Sequence, residues 1–199
     1  MKKAFLVLAL AICYSLNLSA QELTKQMFNI YYGNPKTLVQ SNSVSPEPVT
    51  VEFDRSGRVL SKAVGGGKMV YDWASDGKSI EVKLYNDGQY VAAAMVYIEE
   101  MSATRCKYTA DGVGYDVLFR SNGSINKITM SSGGQSVTTT YYYNSSSDVF
   151  PTKIVTAGGG QFMSVDISEI KTDAEGNCVE CTQTAQRQSM KGKSTIFYY

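Results

Sequence analysis

The chain has 199 residues, with 19 Lys and Arg against 18 Asp and Glu, and it contains no histidine. Without histidine, no Ser-His-Asp triad, Cys-His pair or His-ligated zinc site can be assembled within it. Neither sign of charge forms a run, so nothing offers the basic patch that nucleic acid or an anionic membrane surface selects, and no cofactor or metal is implied.

The first twenty residues read as an export signal. Lys2 and Lys3 precede the ten-residue apolar stretch Ala4 to Cys13, and Leu18-Ser19-Ala20 places small residues before Gln21. This charged, apolar, small-residue order is that of a cleavable leader. The apolar stretch is too short to span a bilayer, which takes about 20 residues. Cleavage after Ala20 leaves 21–199 as a single domain, long enough to bury its own core. A rival signal is Leu10-Ala11-Ile12-Cys13, which resembles a lipobox anchored through Cys13, although Ile12 stands where a small residue is wanted. The expected location is the periplasm or the cell exterior, with lipid anchoring the lesser alternative and membrane association not expected.

Glu22 to Tyr32 is the best helix candidate, and it is short. Beyond it, turn signals recur every eight to twelve residues. They are 55–57, Gly65-Gly66-Gly67, 75–77, 86–88, Glu99-Glu100, 110–112, 121–123, 132–134, 144–148, 158–160, 174–176 and Lys191-Gly192-Lys193. Asp-Gly and Asn-Gly supply the positive φ that tight hairpins need. Between the turns, Ile80, Val82 and Leu84 alternate with Ser79, Glu81 and Lys83, and Val51 and Phe53 alternate with Glu52 and Asp54. Tyr115, Val117 and Phe119 alternate less cleanly with their neighbours. Period-two alternation gives one apolar and one wetter face.

Residues 73–88 also align without gaps on 108–123, and Ile80, Val82 and Leu84 fall on Tyr115, Val117 and Phe119. The offset contains an odd number of strands, which in a meander puts the two Asp-Gly turns at opposite ends. The expected fold is all-β: a long antiparallel meander of about a dozen short strands. A sheet that wide curls into a bent open sheet or a barrel-like shape.

Phe53-Asp54-Arg55-Ser56-Gly57-Arg58-Val59-Leu60 resembles the YD repeat of RHS-type exported bacterial proteins: aromatic, Asp, two variable residues, Gly, Arg or Asn, then an apolar strand. Asp173-Ala174-Glu175-Gly176-Asn177 is similar to the form that closes such arrays, and the chain ends in Phe197-Tyr198-Tyr199. The aromatic is missing before Asp76, Asp87, Asp111 and Asp173. The resemblance implies a repeat scaffold, export and no active site.

Three cysteines follow the leader: Cys106, Cys178 and Cys181. Cys178-Val179-Glu180-Cys181 has redox or half-metal-site spacing. It follows a turn and enters a strand, where residues three apart face opposite sides, so these two are not expected to bond to each other. Structural cysteines are the favoured reading, with Cys106 a disulfide candidate for one of them. The fourteen tyrosines, Tyr141-Tyr142-Tyr143 among them, read first as core and cross-strand pairs and second as a stacking face. Glu99-Glu100 and Asp72/Asp76 are the nearest approach to the paired carboxylates of a glycosidase, and both read as solvated. Gly65-Gly66-Gly67-Lys68 lacks the frame of a phosphate loop.

The leading expectation for function is a non-enzymatic exported β-repeat module that presents a sheet surface to an unknown protein or glycan. An outer-membrane β-barrel and an envelope enzyme stand as alternatives.

Overall fold

The computed structural model describes residues 32–44, 47–102 and 104–199. The leader, Cys13 and all of the helix candidate but Tyr32 lie outside these residues. The described residues form fourteen strands: β1 Pro35–Asn42, β2 Val49–Phe53, β3 Val59–Val64, β4 Gly67–Trp73, β5 Ser79–Asn86, β6 Gln89–Met101, β7 Arg105–Ala110, β8 Val113–Phe119, β9 Ile125–Ser132, β10 Gln135–Tyr142, β11 Lys153–Gly158, β12 Gln161–Thr172, β13 Cys178–Ala185 and β14 Gln188–Tyr198. Each pairs antiparallel with its neighbours in sequence, and β14 returns to β1 through Leu38↔Ile196 and Gln40↔Ser194. The all-β meander is therefore present, and it closes.

The two ends of this barrel use different turn chemistry. At the mouth the hairpins are two residues long. Asp87-Gly88, Asp111-Gly112, Gly133-Gly134 and Gly159-Gly160 all have positive φ at both positions, the conformation whose twist matches that of paired strands. At the base, where both described chain ends lie, the turns are longer. Asp54 Oδ1 accepts from the Ser56 and Arg58 backbone N–H groups at 2.7 and 3.0 Å. Asn122 Oδ1 accepts from Ser124 N–H at 3.1 Å, and Asp173 Oδ1 from Asn177 N–H at 2.9 Å. These side-chain-closed turns are the physical content of the Asp-x-x-Gly pattern.

This geometry corrects the YD-repeat assignment. Asp76-Gly77 turns at the base and Asp111-Gly112 at the mouth, so the 35-residue match relates hairpins at opposite ends and no repeat stacks on the next. The strands instead close into one continuous barrel. The inward register of the match does hold: Ile80, Tyr115 and Val117 are all buried.

Two turns lie away from their expected positions. Glu99 and Glu100 lie inside β6, at a bulge between Ile98 and Glu100, and β6 runs on to Met101. Lys191-Gly192-Lys193 lies inside β14, and the hairpin is Gln186-Arg187, with φ of 48° and 68°. No Gly, Asn or Asp marks that turn.

Cross-strand partners share a face, so the register sorts the wall into inside and outside. Leu38, Val51, Phe53, Val59, Tyr71, Ile80, Val96, Cys106, Tyr108, Tyr115, Val117 and Ile125 form one buried cluster on the inner face. Leu38, Val51, Ile80 and Val117 are fully buried.

Candidate functional site

The lumen is the concave element that the fold creates, and its inner face has two unlike sectors. From β2 to β9 the inward residues are apolar or aromatic. Tyr108 and Tyr115 are stacked, with ring centroids 4.8 Å apart. Trp73 donates from Nε1 to the Val59 carbonyl at 2.9 Å and carries the Arg58 guanidinium 5.1 Å from its ring. Tyr141, on β10, packs against this cluster, and burial pushes its hydroxyl up to about 12.

From β10 to β14 the inward rows also carry small and polar residues. Thr139 and Thr156 share a 3.0 Å hydrogen bond. Gln183, Gly192 and Ser194 follow in register. Inward Ile154, Val165 and Ile167 are not part of the buried cluster, and Met163, near the mouth, is 47% exposed.

One lysine interrupts the apolar sector. Lys62 stands in the inner row between Val51 and Met69 and is 5% exposed. Burial lowers its ammonium pKa to about 8, because a low-dielectric wall disfavours the charged form.

The outer face carries ion pairs beside an apolar row of Ala93, Met95 and Tyr97 on β6. Lys83 Nζ meets Asp72 at 2.6 Å and Glu81 at 3.3 Å. Arg105 makes a two-point contact with Asp116 through Nε at 2.9 Å and Nη2 at 2.7 Å. The guanidinium holds the Asp116 carboxyl below the usual carboxylate range. Lys171 meets Glu180 at 2.8 Å. Lys107 and Lys127 face outward by the same register. The singled-out acids belong to this surface: Glu99 accepts from Thr109, Glu100 reaches Arg105 at 4.0 Å, and Asp76 caps its own turn through Lys78 N–H at 2.8 Å. None of them converge.

Sequence reasoning missed a cleft of about 690 Å³ at the base, between the β10–β11 and β12–β13 loops, flanked by Tyr32, Asp148, Phe150, Ile170, Asp173 and Glu175. Two of its three acids are engaged in structure. Asp148 Oδ2 accepts from Ser145 N–H at 2.8 Å and Asp173 Oδ2 from the Tyr198 hydroxyl at 2.6 Å. Among the described residues, no cluster of Cys, Asp or Glu is arranged to hold a metal ion.

Asn177, fully buried, is the base's fastening. Its amide accepts from Tyr32 N–H at 3.0 Å and donates to the Tyr32 carbonyl at 2.9 Å and the Tyr198 hydroxyl at 2.8 Å. The Asp-x-x-Gly-Asn signal at 173–177 thus marks the seam where the first and last strands meet.

Of the three cysteines, Cys106 is buried in the β7 inner row, six strands round the ring from β13. Cys178 and Cys181 do meet, contrary to the regular-strand expectation. The β12–β13 ladder carries register shifts between Ser168, Lys171 and Thr172 as it passes Cys178 and Glu180. A bulge adds a residue to one strand and re-aims side chains, which brings both thiols to one side.

No family model matches the chain, and no curated protein matches it. Among solved structures it is similar to a porin-like protein from Bacteroides vulgatus, with 11% identity and a TM-score of 0.45 over 83% of this chain and 98% of that one. It is also similar to a porin-like protein from Bacteroides uniformis, with 8% identity and a TM-score of 0.34 over the same shares. The expectation of a β-repeat module that presents a sheet surface to a protein or glycan is corrected by the closure of the barrel, which favours the alternative of a β-barrel. One side of its sheet is a lumen, and the other is a wall that carries ion pairs.

Proposed function

We propose that the chain is an exported, non-catalytic envelope β-barrel that works in water and carries a small amphiphile in its lumen. One observation carries this reading: charged side chains stand at mid-strand on the outer wall, Lys83 with Asp72 and Arg105 with Asp116, beside an apolar outward row of Ala93, Met95 and Tyr97 on β6. A lipid-facing barrel needs an unbroken outward apolar band about 25 Å tall. A charge at mid-bilayer costs about 2 to 4 kcal/mol for Arg or Lys, and Lys83, Lys107 and Lys127 all stand on the outer wall. Within the lumen the β2–β9 sector is packed and bounds the remaining space with apolar and aromatic side chains. The looser β10–β14 sector brings partly buried Ile154, Val165 and Ile167 together with the hydrogen-bonding groups of Thr139, Thr156 and Gln183.

A second reading, an outer-membrane barrel, is supported by closure, which leaves no unpaired sheet edge round the ring. Outward aromatics near both rims also favour it, Tyr90 and Phe162 at the mouth and Tyr142 and Phe197 at the base. Strand length opposes it: β2, β3, β7 and β11 have five or six residues, and spanning strands take about 9–11.

Fractionation of the native host separates the two. The mature chain is expected in the soluble fraction after a carbonate wash; material that needs detergent would establish the membrane reading instead. Trp73, the one tryptophan in the chain, then reports on the lumen. A fluorescent fatty acid should draw saturable energy transfer from it, and a flat titration would remove the amphiphile from the proposal.

A further inference from the structure

We infer that Cys178 and Cys181 form a redox-active dithiol that exchanges with disulfides, with Cys181 as the attacking thiol and Cys178 as the resolving one. This inference is independent of the lumen reading. Two cysteines three apart on a regular strand project to opposite faces and cannot bridge. The irregular register of β13 against β12 removes that obstacle. Cys178 Sγ turns back to the Glu180 carbonyl at 3.6 Å, and it lies near enough to Cys181 for each thiol to shift the other's titration.

Cys181 pairs with Gly192 on β14. A Cβ at Gly192 would come within 3.9 Å of the Cys181 sulfur, so the missing side chain leaves the thiol clear on that flank. Both thiols are half-buried, whereas Cys106 is sealed in the core. Contact with Cys178, and with Gln183, holds the Cys181 thiol below the ordinary thiol value, and the same contact, with burial, pushes Cys178 up. Cys181 is thus the more readily ionised of the two, as the attacking thiol of an exchange must be.

The chemistry balances with a small-molecule or protein disulfide as oxidant. The Cys181 thiolate attacks one sulfur of that disulfide, forms a mixed disulfide and expels one thiolate. Cys178 then passes its proton to that thiolate and attacks the Cys181 sulfur, expelling the second. The pair loses two electrons to become the Cys178–Cys181 disulfide; the second thiolate takes from water the proton that Cys181 gave up on ionising, and the oxidant leaves as two thiols.

Oxidised glutathione is the probe, with intact mass and thiol alkylation as the readout. C106S protein should lose both alkylatable thiols together with two hydrogens, and carry no glutathione. C178S should hold a stable glutathione adduct on Cys181, because nothing resolves it. C181S should react at Cys178 measurably more slowly, because burial still disfavours that thiolate and Cys178 lacks the flank that Gly192 leaves clear beside Cys181. Two thiols still free in C106S after equilibration, or equal rates in the two single variants, would overturn the inference. Peptide mapping of the unmutated chain tests the pair without any substitution: a 178–181 crosslink supports it, and a crosslink from either residue to Cys106 refutes it.

Discussion

The β2–β9 sector and the β10–β14 sector share a ladder, a twist and an outer face that carries ion pairs, yet their inner faces are held by different physics. In the first, Ile80, Val117 and Tyr108 lose nearly all contact with water, and stability comes from buried apolar area, at roughly 25 cal/mol per Å². In the second, inward Ile154 and Val165 stay half-exposed, while Thr139–Thr156 and the Asn177 fastening supply directional bonds. A closed meander needs continuous backbone pairing but not a uniform core. One arc of the wall can be packed solid while the other stays loose enough to admit a ligand.

Truncating one isoleucine in each sector tests this contrast most strongly. Ile80→Ala should cost about 3 kcal/mol, the middle of the range for deleting a fully buried aliphatic side chain. Ile154→Ala, which removes the same atoms from a half-exposed site, should cost about 1 kcal/mol by area. Urea unfolding of both variants measures the difference, and equal losses would mean that the β10–β14 sector is packed as tightly as the other.

Asn177→Ala comes next. It strips partners from the Tyr32 N–H and carbonyl and from the Tyr198 hydroxyl in a buried setting, where an orphaned polar group costs about 1 to 3 kcal/mol. A loss of about 2 kcal/mol is expected. Hydrogen exchange should localise it to the β1–β14 seam, with the β4–β8 amides unaffected. Loss of protection spread evenly over the barrel would show that the seam is not a separate fastening.

Much of the architecture is legible in the sequence because local signals and final structure agree. Alternation at 79–84 and 115–119 places the right residues inward, and Asp-Gly pairs place hairpins at 87–88 and 111–112. Closure is not legible, because the β1–β14 pairing joins residues such as Leu38 and Ile196 that no local pattern links. The reversal at Gln186-Arg187 is hidden because side chains there adopt positive φ without Gly or Asn. The ion pairs of the outer wall are half visible, since the polar members of each alternation mark the wetter face, but their partners come only with register: Arg105 with Asp116, Lys171 with Glu180. The contact between Cys178 and Cys181 depends on irregular pairing, which a strict two-residue period cannot foretell.

Lys62 gives the finest test, because it places a titratable charge in the sector that otherwise excludes water. Its folded pKa, about 8, lies below the ordinary lysine value of 10.5, so between those values the unfolded chain binds more protons than the folded one. Stability must then rise with pH across that window, and the burial penalty is fully present below it. Buried tyrosines act in the opposite sense. Burial raises Tyr71 and Tyr108 above the ordinary phenol value of 10.0, so they erode stability once unfolded tyrosine ionises. The clean interval therefore runs from about pH 8 to pH 10. Over it, in a C178S/C181S background that removes the two shifted thiols, urea midpoints should climb with Lys62 present and stay flat with Lys62→Met. The Met variant should also be the more stable at pH 7, by on the order of 1 to 2 kcal/mol. A pH profile unchanged by the substitution would mean that the ammonium reaches water, and the packed sector would then have an opening at β3.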